Sequence, residues 1–255
     1  MRRIKNREGE INYNKQNCKM KIIKYRSAID MDVEFIDYGH IVEHVTYSNF
    51  KKGSIRNNFY KTYYGVGYLG SDDIITQKDG VSIKSYVCWT NMLKRCYDTN
   101  YQKSSSKRAY MGCSVDDEWH NYSLFKDWWD KNYKEVEGID FQLDKDILSK
   151  GNKVYSKEMC VFVPREINQV IQGHSKESNE PKGVRLRKGR FEARCNINGN
   201  PIYLGAYDTE EEAFQVYKLE KEKEIKRLAD KYKDVIDRRV YDKLIHWDID
   251  KQKIK

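Results

Sequence analysis

Along the first part of the chain, apolar and polar positions alternate with a period of two. KMKIIKY (19–25) and MDVEFID (31–37) place every second side chain on one face, the pattern of a half-buried strand. Tyr38-Gly39-His40 turns the chain and IVEHVTYSNF (41–50) continues it, so a compact antiparallel barrel or meander is expected over residues 1–65. After residue 85 the period lengthens. In SYVCWTNMLKRCYD (85–98), Trp89, Met92, Leu93 and Cys96 recur at i, i+3, i+4 and i+7, a single helical stripe. YSLFKDWWDKNY (122–133) predicts another helix with Leu124, Phe125, Trp128 and Trp129 inward. Four of the five tryptophans lie in this middle region, 66–172, which predicts a core of its own there.

Residues 143–168 read LDKDILSKGNKVYSKEMCVFVPREIN. A first strand ends at Asp144, Gly151-Asn152 make a turn, MCVFVP (159–164) is a second strand, and EINQVIQ (166–172) starts a helix. GHSKESNE (173–180) is polar without periodicity and reads as a linker. In the unit that follows (181–232), GVRLR, RFEARCNI and PIYLGAY alternate as three strands, with Lys188-Gly189 and Asn198-Gly199 as hairpin turns. Val184, Leu186, Phe191, Ala193, Cys195 and Ile197 are expected inward. Thr209 and Glu212 have the spacing of a capping box, and Ala213, Phe214, Tyr217, Ile225, Leu228, Ala229 and Tyr232 supply one side of the helix they open. The tail (233–255) predicts a helix that docks back or meets a partner. The expected fold class is α+β, built from modules.

Composition narrows the partners. Of the 255 residues, 34% are charged and 39% hydrophobic, so any single core is modest. A net charge of +9 favours a polyanion, usually nucleic acid, over the other reading, a basic protein without such a partner. The six cysteines are scattered, with no C-x-x-C pair and no zinc-ligand spacing, which suits reduced thiols in a cytosol. MRRIKNREGE has no apolar run behind its charges, and no segment has the apolar length of a membrane span. A cytoplasmic protein with no membrane partner is expected.

In the C-terminal unit Arg185, Arg187 and Arg194 share the outward face, with Arg190 near the hairpin. Such a sheet fits a major groove, where arginine contacts phosphate or grips guanine O6 and N7; a solvated basic face is the alternative. Residues 182–232 resemble the AP2 DNA-binding domain, on GVRLR and IYLGAYDTEEEAFQVY. The resemblance implies double-stranded DNA as partner, Arg185 and Arg187 as reading arginines, and Arg190 as a basic contact. The chain departs from the family in a shorter first hairpin, in Phe191 for a tryptophan, and in Arg194 where an acid is usual.

Residues 85–170 resemble a phage-borne branch of the HNH endonucleases, on W-x-x-M-L-x-R-C-Y (89–97), G-C-S-V-x-x-E-W (112–119), F-x-x-W (125–128), L-D-K-D (143–146), Y-S-x-E-x-C (155–160) and Ile167-Asn168. This resemblance implies an intracellular protein of a phage-infected bacterium. It also implies a ββα core in which Asp144 and Asn168 hold Mg²⁺ or Mn²⁺ for phosphodiester hydrolysis, as in a homing-type endonuclease or nickase. Lys145 stands where the family has its histidine base, and a protonated ammonium cannot accept a proton. Three readings stay open: Asp146 or a metal hydroxide is the base, Lys145 holds phosphate for slow chemistry, or the core is inert in a DNA-binding, regulatory or counter-defence protein. Of the histidines, only His174, just past the helix, is near enough in sequence to swing back.

Overall fold

The computed structural model describes residues 6–104, 110–172 and 180–249. His174, all but the last residue of the segment read as a linker, and the end of the tail lie outside them. The fold is mixed α+β, and the chain divides into two compact units, Met1–Lys131 and Asn132–Lys255.

The first unit opens with an antiparallel meander in the order β1-β2-β3-β4: β1 (Ile11–Tyr13), β2 (Lys19–Ser27), β3 (Asp30–Phe35) and β4 (His40–Val45). Period two puts Met20, Ile22, Met31, Val33 and Phe35 on the buried face, closed by Phe50 of α1 (Tyr47–Lys51) and by Ile55. A small hairpin follows, β5 (Gln77–Lys78) and β6 (Val81–Ser82), then α2 (Lys84–Tyr97), α3 (Thr99–Gln102), β7 (Ser114–Val115) and α4 (Tyr122–Asn132). The stripe Trp89, Met92, Leu93 and Cys96 is buried on α2 as expected. The Trp89 indole donates to the Trp119 carbonyl at 2.7 Å, so its one polar group is satisfied inside the core. On α4 the expectation fails for Leu124, which is 41% exposed. Tyr122 and Phe125, at i and i+3, take the buried side, and a neighbour 100° round the helix turns outward.

In the second unit, β8 (Phe141–Asp144) leads through β9 (Val154–Tyr155) to β10 (Val161–Pro164), which pairs antiparallel with β8 so that Val161 faces Asp144 and Val163 faces Gln142. α5 (Arg165–Gln172) follows at once. A three-stranded antiparallel sheet comes next, in the order β11 (Val184–Arg187), β12 (Arg190–Ile197) and β13 (Asn200–Tyr207), then α6 (Glu210–Tyr232) and α7 (Arg238–Ile245). Both hairpin turns have two left-handed residues in succession, Lys188-Gly189 (φ 49° and 79°) and Asn198-Gly199 (φ 51° and 78°), the geometry that matches strand twist. The capping box forms: the Glu212 N–H donates to the Thr209 hydroxyl and the Thr209 N–H to the Glu212 carboxylate, both at 3.2 Å.

α6 has 23 residues, about 34 Å of helix, and serves two cores. Its first turns carry Ala213, Phe214 and Tyr217 onto Val184, Ala193 and Cys195 of the sheet. Its last turns carry Ile225, Leu228, Ala229 and Tyr232 into a cluster with Ile147, Val161, Val163, Ile167 and Val170 of the β8–β10–α5 region, and with Val240 and Leu244 of α7. The tail helix therefore docks back. Between the two stretches, Glu224 accepts from the Asn198 N–H at 2.9 Å and from Arg227 Nε and Nη2 at 2.7 and 2.9 Å. No helix among the described residues is long and apolar enough to cross a membrane.

Candidate functional site

The loop after β8 is built by its own polar groups. Asp144 is buried, and its Oδ1 accepts from the backbone N–H of Asp146 at 2.9 Å and of Ile147 at 2.8 Å. This is the local side-chain turn that aspartate favours, and it ends the strand. Lys145 and Asn152 then close the loop reciprocally. The Lys145 ammonium donates to the Asn152 carbonyl at 2.9 Å, and the Asn152 amide returns to the Lys145 carbonyl at 2.7 Å and to that of Val154 at 2.7 Å. Lys145 also donates to Asp146 Oδ2 at 3.3 Å. Lys145 is therefore a buried strut with two of its three protons placed on acceptors.

The two acids beside it are not equivalent. Burial, and next the Asp146 carboxylate, push the Asp144 carboxyl up to about 6 against the pull of its two backbone N–H donors. Asp146 keeps 42% of its side chain exposed. Asn168, in the first half of α5, is buried and donates to Gln142 Oε1 at 2.9 Å. Gln142 precedes Asp144 by two residues, so the two share a strand face about 7 Å apart. The loop thus brings Asp144, Lys145 and Asp146 together, and α5 brings Asn168 to the adjacent position of the same strand.

The described histidines are engaged locally: His40 with Asp72 at 3.1 Å, His44 with Asp30 at 2.9 Å, His120 with the Tyr97 hydroxyl at 3.0 Å, and His246 with the Asp242 carbonyl at 2.8 Å. One cluster escaped the sequence reading. Asp30, Asp32 and His44 bring ligand atoms within 4.8 Å of one another, a geometry that could hold a metal. The Arg26 guanidinium already fills it, with Nε 2.8 Å from Asp30 and Nη atoms 2.8 and 2.6 Å from Asp32. That fork occupies one Asp30 oxygen and both Asp32 oxygens, so a cation would have to displace an arginine. The i, i+4 spacing of Arg26 and Asp30 was the only sequence trace of it.

The second site is the outer face of the three-stranded sheet, opposite α6. Gly183 lets β11 lie close on the helix: its φ is +77°, and a Cβ there would meet the Tyr217 ring at 2.0 Å. Register aligns Arg185 with Glu192 and Ala206, Arg187 with Arg190, and Arg194 with Tyr203. Arg187, Arg190 and Arg194 each expose more than half of their side chains. They are steered by acids: Arg194 lies 3.1 Å and Arg187 3.7 Å from Glu192, and Arg190 3.2 Å from Asp208. The Arg194 guanidinium sits over the Tyr203 ring, 5.7 Å from its centre. Leu186, expected inward, is 49% exposed. It lies one pair from the hairpin turn on an edge strand, at the rim of the surface that the helix covers.

No protein-family model, no curated protein and no solved structure matches the chain. The likeness to HNH and AP2 proteins therefore rests on the motifs quoted above. What the sequence did not yield is the pairing within each site: the closed Lys145–Asn152 loop, and the single acid held between two arginines in the middle of the basic face.

Proposed function

We propose that the protein binds double-stranded DNA through β11–β13 and hydrolyses a phosphodiester of that DNA with a divalent cation held at Asp144 and Asp146. The observation that carries the first half is the one-sided sheet. Its inner face is sealed by α6 while Arg185, Arg187, Arg190 and Arg194 line the outer face. Arginines spaced over adjacent strands suit phosphates on both sides of a groove and guanine edges within it.

The acid pair fits Mg²⁺ or Mn²⁺. Burial first, and then the neighbouring Asp146 carboxylate, push Asp144 to about 6, so the pair gains from a shared divalent charge, and hard oxygen donors are what these ions take. Asp144 and Asp146 would hold the ion, with an amide oxygen of α5 as a further donor. Bound there, the metal supplies Lewis-acid polarisation of a phosphate oxygen. Asp146, partly exposed, is the acid of the pair best placed to meet water, while Lys145 keeps the loop closed.

A second reading is favoured by a specific observation: Asp144 Oδ1 is engaged by two backbone N–H groups, and the Lys145 ammonium by the Asn152 carbonyl and the Asp146 carboxylate, as in a loop maintained for shape. In that reading the protein is an inert HNH-like DNA-binding, regulatory or counter-defence protein. Supercoiled plasmid incubated with Mg²⁺ or Mn²⁺ separates the two. Nicking or cutting that Asp144→Ala abolishes, with duplex binding retained, supports hydrolysis; an intact plasmid at high protein leaves only binding. Arg185→Ala with Arg187→Ala should weaken a gel shift and lower its salt slope by about two. Unchanged affinity in that double variant would remove the sheet from the interface.

A further inference from the structure

We infer that Glu192 is the specificity-determining residue of the outer face and selects a C·G base pair at the middle of the bound duplex. The inference rests on the DNA-binding reading above. Glu192 lies in the central strand, level with Arg185 on one side and Ala206 on the other. Arg187 and Arg194 hold its carboxylate at 3.7 and 3.1 Å, and its side chain is only 14% exposed, against 58% and 54% for the two arginines. The acid is therefore recessed between two protruding cations, and the methyl of Ala206 leaves the surface beside it open.

For a face that only grips phosphates, that residue is a liability. Phosphate oxygens are acceptors, and a carboxylate among the arginines repels them. Its value appears when the arginines swing out to phosphates or to guanine. Glu192 then loses its partners inside a closing interface, where an unpaired carboxylate carries a large desolvation penalty. Only a base-edge donor relieves it. In the major groove guanine and thymine present acceptors, cytosine presents its N4 amino group, and adenine sets an acceptor beside its donor. A register that puts cytosine N4 under Glu192 is accepted and the others are penalised.

The test is selection from a random duplex pool with the full chain, in parallel with Glu192→Gln and the charge-preserving Glu192→Asp. The wild type should enrich one C·G pair at a fixed position. Glu192→Gln should lose that preference while keeping its neighbours, with discrimination at the pair falling about tenfold or more and binding to unselected duplex tightening. Glu192→Asp should retain the base and weaken it. Identical preferences in wild type and Glu192→Gln overturn the inference, as does a wild type that binds duplex with no preference at all. If the wild type binds no duplex even at low salt, the DNA-binding reading falls first and takes this one with it.

Discussion

Replacing Asp144 by asparagine tests the acid pair without dismantling the turn, since an amide oxygen can accept from the same two N–H groups, those of Asp146 and Ile147. The ordinary aspartate value is 3.8, and in the fold burial and Asp146 push Asp144 to about 6. Between those values the folded chain keeps a proton that the unfolded chain has released, so stability falls as pH rises through the window. The shift is about 2 pH units at ~1.36 kcal/mol each, and because the unfolded carboxyl is already about half ionised at pH 4, wild type should lose about 2 kcal/mol between pH 4 and pH 7 at this position. Asp144→Asn removes that loss. Thermal melts should show the variant gaining on wild type by about 10 °C from pH 4 to pH 7. Mg²⁺ at a hundred times its Kd would return about 2.7 kcal/mol to wild type at pH 7 and nothing to the variant. Parallel pH profiles for the two proteins would refute Asp144 as the buried titrating acid. Equal stabilisation of both by Mg²⁺ would move the metal elsewhere.

Lys145→Met removes the donor to Asn152 and Asp146 and should cost about 1–3 kcal/mol in urea unfolding, with duplex affinity unchanged; an affinity loss like that of the arginine variants would mean that Lys145 meets phosphate. Thr209→Ala breaks the capping box and should cost about 1 kcal/mol by the same measurement, and no loss would show the box unformed in solution. Leu228→Ala opens a cavity where α6 meets β10 and α5 and should cost about 2–5 kcal/mol. Amide exchange should then quicken in α5 and in β11–β13 together; a change confined to α5 would argue against one shared helix.

Much of this fold could be read from periodicity. The alternation in RFEARCNI, the two turns and the Thr209–Glu212 box fixed β12, its neighbours and the start of α6, because each is a local rule obeyed by nearby residues. Rims and ends were less legible. Leu124 and Leu186 are apolar residues that an inward pattern claims, and only the extent of the packed surface leaves them outside. The site residues were legible as types but not as partners. L-D-K-D announces two acids and a lysine, yet nothing in the sequence says that Lys145 reaches Asn152, because a bond across a seven-residue loop depends on how that loop closes. The same limit hid the Arg26 fork and the place of Glu192 between two arginines from different strands.

The helix that joins both sites has a mechanical consequence. A reading sheet on a flexible tether would leave the acid pair to sample many phosphates, each at low effective concentration. Here Phe214 and Tyr217 are fixed to the sheet while Ile225 and Leu228 are fixed to the strands that carry Asp144, and all four belong to one rigid element. From Tyr217 to Leu228 the helix rises about 16 Å, the length of roughly five base-pair steps. On the DNA-binding and hydrolytic reading proposed above, orientation of the sheet in a groove would also orient β8, and the entropy of bringing acid and backbone together would be met when the protein folds rather than each time it binds. The same rigidity penalises error. On that reading, a substitution that tilts α6 would leave both sets of side chains intact and take the phosphate out of the reach of Asp146. The proposed hydrolysis would then be lost with duplex binding retained, in a variant that touches neither site.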